Sequence, residues 1–299
     1  MKRVVLVALT MVMAASTALA QNKPAQGTAP TQQPAAGSQA QQPAGTQAQP
    51  KQPQAKTTEE FTAFQTANQS SDPAAAETSA DEFAAKYPES ELRSLLYQRT
   101  MSLYQQNNNA DKVIEVGRKA LSIDPNEPVT LISVANVLAE RTRETDLDKN
   151  ERLADATKFA NRGLEMIENI QAPAGVTPEQ LVNAKNELRS VALGTLGMVA
   201  YTNKDYAGAE AQFRKSIGAF SVQPDPTIHL RLTLSLDKQQ KYAEALTAAN
   251  KTLEIAPADS QVAQLAKQEK ERLTKLVNAP APKPAAAPTS PQPTTVPPK

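Results

Sequence analysis

Between residues 58 and 277, apolar side chains return every three or four positions, and Ala, Leu, Glu, Lys, Gln and Arg dominate the composition. That spacing is the period of an amphipathic helix, and the strict alternation of a half-buried strand is absent. Prolines of this region, such as Pro88, Pro125, Pro173, Pro178, Pro224, Pro226 and Pro257, sit at the ends of periodic segments. A proline is tolerated in a first helical turn and costs ~3 kcal/mol inside one, so these residues mark corners. The pattern predicts helices joined by turns, an all-α domain over residues 58–277.

The apolar pattern also repeats at a longer period. One unit reads Leu196-Gly197, Asp205-Tyr206, Ala209, Phe213 and Ile217; the next reads Leu232, Leu236, Tyr242, Ala245, Ala249, Leu253 and Pro257. Setting Tyr206 on Tyr242 gives an offset of 36 and places Ala209 on Ala245 and Ile217 on Leu253. An earlier unit runs Tyr97, Met101, Tyr104, Val113, Gly117, Ala120-Leu121 and Pro125. Small residues such as Gly197, Ala209 and Ala245 let two helices approach closely, and Phe213, Leu232 and Tyr206 fill the space beside them. No such pair can bury its apolar face alone, so neighbouring pairs must stack.

The units resemble the tetratricopeptide repeat, whose period is about 34 residues with an LG pair, an A-x3-F step and a terminal proline. Leu196-Gly197 and Ala209-x3-Phe213 match that pattern, and Pro125 and Pro257 stand at the closing proline. The resemblance implies a TPR-like α-solenoid of antiparallel helix pairs. Five pairs are expected, two regular, one fair and two irregular. The half-polar stretch Asp259 to Leu276 closes the array as a C-terminal capping helix. The third unit opens with Leu131, Ala135 and Leu138, but Ala156, Ala160 and Gly163-Leu164 arrive late, after the polar run Arg141 to Glu151. The loop Gln171 to Thr177 then precedes a long helix expected from Pro178 to about Thr202.

The ends of the chain have a different composition. Lys2-Arg3, the apolar stretch Val4 to Met13 and the small residues Ala18-Leu19-Ala20 give residues 1–20 the layout of a secretory signal peptide. An uncleaved anchor is the alternative. Residues 21–57 are a Gln/Pro/Ala-rich linker without aromatic or branched aliphatic residues. Residues 278–299 form a Pro/Ala-rich tail in which Val296 is the single branched aliphatic. Neither can bury a core, so both are expected to be disordered. Pro288-Thr289-Ser290-Pro291 fits a PxxP pattern within what reads as a plain spacer. With no cysteine there is neither a disulfide nor a lipoprotein attachment site. A periplasmic location is expected, with secretion as the alternative, and no membrane span in the mature chain.

Charge narrows the partners. The chain carries 32 basic and 31 acidic side chains; without Lys2 and Arg3 the balance is 30 against 31, a net of −1. Nucleic acid and anionic membranes call for clustered positive charge, so neither is an expected partner. The single histidine, His229, falls at a packing position, and with no cysteine the ordinary zinc and iron ligand sets are too small. No phosphate-binding glycine loop occurs, and the Asp146/Asp148 run lacks the glycine and bidentate glutamate of a calcium loop. No cofactor is expected. Glu59-Glu60 and Asp81-Glu82 read as solvated helix faces rather than acid/base pairs.

What remains is a partner-binding groove. The resemblance implies that the first helix of each pair lines a concave face holding a peptide or an extended protein segment. Its groove positions carry over to Gln98, Ser102 and Gln105, to Asn136 and Glu140, to Met198 and Tyr201, and to Leu230, Leu234 and Lys238. The carboxylate clamp of cytosolic chaperone adaptors is missing, because Ile132-Ser133 and Leu230-Arg231 occupy its polar positions. The expected function is a non-enzymatic interaction scaffold of the bacterial cell envelope. A component of an outer-membrane assembly or polysaccharide-export complex is the alternative. A glycan-cleaving enzyme using two carboxylates is a remote one, and it would need a carboxylate pair about 5–10 Å apart across a cleft.

Overall fold

A computed structural model describes residues 53–278 apart from Ala174. The signal segment, most of the linker and the tail with its PxxP pattern therefore lie outside the described residues. Within them are eleven α-helices and no strand: α1 (Thr58–Ala67), α2 (Pro73–Lys86), α3 (Leu92–Gln106), α4 (Ala110–Ile123), α5 (Pro128–Arg141), α6 (Lys149–Met166), α7 (Pro178–Thr202), α8 (Tyr206–Ala219), α9 (Pro226–Lys238), α10 (Tyr242–Ile255) and α11 (Gln261–Val277). A 3-10 turn, Ile167–Asn169, follows α6. The start signals are local. Pro73, Pro128, Pro178 and Pro226 occupy first turns, and side chains of Thr57, Asp72, Asn109, Glu127, Thr177, Asp205, Asp225 and Ser260 cap exposed N–H groups. At α7 the cap is reciprocal, with Gln180 reaching back to the Thr177 N–H at 2.9 Å.

The helices fall into five consecutive pairs plus α11. The chain divides into two compact units, one ending at Gln223 and one beginning at Pro224. In the first unit the most extensive packing lies within the pairs α3/α4, α5/α6 and α7/α8, and α4/α5, α6/α7 and α5/α7 join neighbouring pairs. In the second unit α10 packs on α9 and α11 on α10.

Three pairs share one turn. Asn108, Lys204 and Gln240 adopt the left-handed conformation, with φ of 55°, 64° and 60°. Around each, the following N–H donates back to the last turn of the first helix: Asn109 to the Tyr104 carbonyl at 3.0 Å, Asp205 to Ala200 at 2.9 Å, Lys241 to Leu236 at 3.0 Å. Asn108, Lys204 and Gln240 themselves donate to Gln105, Tyr201 and Asp237. This is the Schellman arrangement, which satisfies helix-end carbonyls and reverses the chain within three residues. Five residues beyond each left-handed residue stands a fully buried small or branched residue, Val113, Ala209 or Ala245. The turn thus sets the repeat register.

The α5/α6 pair breaks that register. Lys204 to Gln240 is one step of 36, whereas Asn108 to Lys204 spans 96, two such steps (72) plus 24. The surplus lies in the connection 142–148, the segment 167–177 and the N-terminal half of α7. Ile167 is fully buried against Ile132 and Ala192, with Leu164, Leu188 and Val191 around them. This cluster seats α7 beside α5. Lys185 and Arg189 of α7 pair with Glu168 of the 3-10 turn. Lys204 pairs with Glu144, tying the α7/α8 turn to the inserted connection.

Candidate interaction face

Glycines bring helices of the first unit into close approach, within the pairs α5/α6 and α7/α8 and between α4 and α5. A Cβ added to Gly197 would stand 2.5 Å from the Phe213 ring; one on Gly117 would meet Val134 at 2.3 Å and one on Gly163 would meet Ile132 at 2.5 Å. Glycine is required there because a neighbouring side chain fills the space.

The ten groove positions divide by burial. Gln98, Gln105, Asn136, Tyr201 and Leu234 are half-buried, and Glu140 and Lys238 are exposed. Ser102, Met198 and Leu230 are buried, with 5%, 8% and 6% exposure, so they serve packing as the chain stands. Seven of the ten stand in the first unit; Leu230, Leu234 and Lys238 stand in the second. Several polar groups already have partners. The Gln98 amide donates to the Ser94 hydroxyl at 3.0 Å, and the Asn136 carbonyl oxygen accepts from the Thr195 hydroxyl at 3.2 Å, which links α5 to α7. Tyr201 packs edge-on against Tyr206, with ring centroids 5.3 Å apart.

The sequence reading missed a polar cluster that fastens α2 to α3 and α4. Glu77 accepts from the Tyr104 hydroxyl at 2.7 Å, from Lys112 Nζ at 3.2 Å and from Lys119 Nζ at 3.1 Å. Asp81 accepts from the Tyr97 hydroxyl at 2.8 Å and from Lys119 Nζ at 3.0 Å. Burial alone would raise the Glu77 carboxyl, but the hydrogen bonds from Tyr104, Lys119 and Lys112 outweigh it and hold the group below its ordinary value. Burial, and then the bond to Glu77, push the Tyr104 phenol up to about 12. Both carboxylates are matched by ammonium groups, so the cluster locks helices together and offers no held proton. The spacing was its signal: Glu77 and Asp81 are four apart, Tyr97 and Tyr104 seven, Lys112 and Lys119 seven, each pair on one helix face.

One of the four acidic residues read as solvated faces departs from that reading: Glu59, Asp81 and Glu82 are exposed, Asp81 while accepting from Tyr97 and Lys119, but Glu60 is buried, with 3% exposure. Glu60 accepts from the Lys56 N–H at 2.6 Å and its own N–H donates to Thr57, so it serves the start of α1. Two other carboxyls are raised by burial. Glu127 accepts from the Val129 and Thr130 N–H groups at the start of α5. Glu187 lies half-buried on α7. His229 is buried at its packing position, and burial, reinforced by Lys251, pushes its imidazole below the ordinary value. Among the described residues no helix is long and apolar enough to cross a membrane.

No protein-family model matches the sequence, and a comparison with curated proteins finds no match. Among solved structures, PilW, described as a widely conserved type IV pilus biogenesis factor, is similar at a TM-score of 0.45 and 18% identity, over 74% of this chain and 94% of its own. Pseudomonas aeruginosa PilF gives a TM-score of 0.45 and 16% identity over 73% and 91%. Yeast Tom70 gives 0.44 and 15% over 73% of this chain, which spans only 40% of the Tom70 chain. Likenesses this distant say nothing about partners, and the fold assignment rests on the chain's own helix pairs, close-approach glycines and shared turns. By those features the chain folds as an all-helical array of consecutive helix pairs, the architecture that its resemblance to the tetratricopeptide repeat implies.

Proposed function

We propose that this protein is a non-enzymatic interaction scaffold of the bacterial cell envelope, exported by residues 1–20, and that its first helices hold a peptide or an extended segment of a partner protein. One observation supports the reading above the rest. The incompletely buried groove positions of α3, α5 and α7, apart from Glu140, carry amide and aromatic groups rather than charges: Gln98, Gln105, Asn136 and Tyr201. A carboxamide both donates and accepts, which matches the alternating N–H and C=O groups of an extended backbone, and an aromatic ring adds apolar contact. Leu234 and Lys238 give the second unit its own first-helix face, apolar and then basic. Ser102, Met198 and Leu230 act by shaping these faces from beneath.

The test is recovery of a partner from envelope extracts by cross-linked pull-down, using the wild-type chain and the Glu140→Lys and Lys238→Glu variants. Recovery by the wild type, weakened in the variants, is the expected result. Absence of any cross-linked partner would remove the scaffold reading. Fractionation of cells, with N-terminal sequencing of the product, tests the envelope location separately; mature protein beginning at Gln21 is expected.

A further inference from the structure

In the first unit α7 outruns the helix it pairs with. The Ser190 hydroxyl donates to the Ser216 carbonyl at 2.9 Å, and the Ser216 hydroxyl donates to the Ser190 carbonyl at 2.8 Å. α8 ends soon after, at Ala219, whereas α7 begins at Pro178, so the opening turns of α7 run past the end of its partner. Glu187 stands about level with that end. A helix turns through roughly 100° per residue, so contacts made at some positions fix the direction of the others. Ser190 and Gly197 point to α8, while Leu188 and Ala192 point to the Ile132 and Ile167 cluster and Thr195 to Asn136 of α5. Glu187 lies between these two directions. It is in line with Gly194, Met198 and Tyr201, at steps of seven, four and three, and so on the side of α7 that carries its groove positions.

The carboxylate at this position has no counter-charge. Glu187 is half-buried, and among the described residues no hydrogen-bond donor or cation pairs with it. Burial raises its carboxyl, and nothing acts in the other direction. The cations nearest in sequence, Lys185 and Arg189, lie two positions away on the opposite side of the helix, where both hold Glu168. Drawing a carboxylate out of water without a partner is costly, so the group is matched only when something else supplies the charge. Asn183 stands one turn earlier on the same side and is also half-buried. A carboxylate beside an amide oxygen offers acceptors to the several N–H donors of a guanidinium or an ammonium. Lysine and arginine also have long stems, which bring the charge in from a chain lying across the face.

We propose that Glu187, with Asn183 beside it, is a specificity-determining residue of the groove and takes the lysine or arginine side chain of an extended segment of the partner protein. This role rests on the scaffold function proposed above and gives the partner of that function a charge.

The probe is a library of N-acetylated, C-amidated peptides with Lys, Arg, Gln or Glu at one central position and mixed residues elsewhere. It is passed over the immobilised mature chain and its Glu187→Gln and Glu187→Lys variants, and retained peptides are read by mass spectrometry. The wild type is expected to retain Lys and Arg peptides about tenfold over their Gln counterparts. Glu187→Gln should lose that preference, and Glu187→Lys should turn it toward Glu. An equal preference for Lys and Arg in the wild type and Glu187→Gln would overturn this role and leave the scaffold reading standing. Retention of no peptide by the wild type would overturn the groove reading itself, and this role with it. Urea unfolding supplies a second readout. Glu187→Gln breaks no pairing within the chain, so its midpoint should equal or exceed that of the wild type. A lower midpoint would show that the carboxylate is already paired within the chain, which would also overturn the proposal.

Discussion

The ring of Phe213 occupies the space that a Cβ on Gly197 would need, 2.5 Å from its ideal position. This contact joins α7 to α8 and explains why the Leu196-Gly197 and Ala209-x3-Phe213 elements occur together. Gly197→Ala gains up to about 1 kcal/mol of helix propensity but must displace a fully buried ring; overpacking costs roughly 1–3 kcal/mol. A net loss of stability is expected. Phe213→Ala should cost more, about 3–5 kcal/mol. Urea unfolding of both variants checks the order. Equal or increased stability for Gly197→Ala would show that the ring moves freely.

The shared turns hold side chains where glycine is favoured. A non-glycine residue in the left-handed region costs about 1–2 kcal/mol, partly offset by the extra entropy glycine brings to the unfolded chain. Gln240→Gly is therefore expected to stabilise the α9/α10 pair, by roughly 0.5–1 kcal/mol. Lys204→Gly should gain less, because it also removes the ion pair with Glu144. Hydrogen exchange of the α9 and α10 amides reads the effect; faster exchange in Gln240→Gly would contradict it.

Glu77 is the hub of the α2–α3–α4 lock. Glu77→Gln keeps the shape but removes the carboxylate that Tyr104, Lys112 and Lys119 share, leaving Lys112 only Glu115 and Lys119 only Asp81, and should cost about 1–3 kcal/mol. Because the folded carboxyl is held below its ordinary 4.5, this stabilisation is present above pH 4.5 and is lost as pH falls through the depressed folded value. Denaturation midpoints of wild type and variant should therefore converge in acid. A constant gap down to pH 3 would contradict the account.

His229 works in the same direction from a different cause. Burial and Lys251 keep its folded imidazole below 6.5, so the unfolded chain binds the proton more readily. Its contribution is complete above pH 6.5 and declines as pH falls through 6.5 toward the folded value. Hydrogen-exchange protection of the α9 and α10 amides, with the intrinsic pH dependence of exchange divided out, should fall between neutral and mildly acid pH in the wild type. His229→Gln should flatten that dependence.

Much of the fold was readable because its signals are local. Pro178 and the Thr177 cap announce α7, and Tyr206 and Tyr242 each open a second helix at an offset of 36. The Schellman turns were not readable, since Asn108, Lys204 and Gln240 carry no glycine to mark them. Periodicity places a residue on a helix face but does not say what covers that face. Ser102, Met198 and Leu230 therefore read as groove residues although neighbouring side chains enclose them. The polar lock escaped for a related reason: long side chains from three helices meet in it, and no single segment contains its pattern.

The most direct measurement of the scaffold reading places a photo-crosslinking amino acid, one site at a time, at Gln105, Tyr201 and Leu234, and at Lys215 on the exposed side of α8, in cells that make the protein natively. The account predicts a discrete adduct to a partner protein from the first-helix sites and none from Lys215. Adducts from Lys215 alone, or from no site, would contradict it.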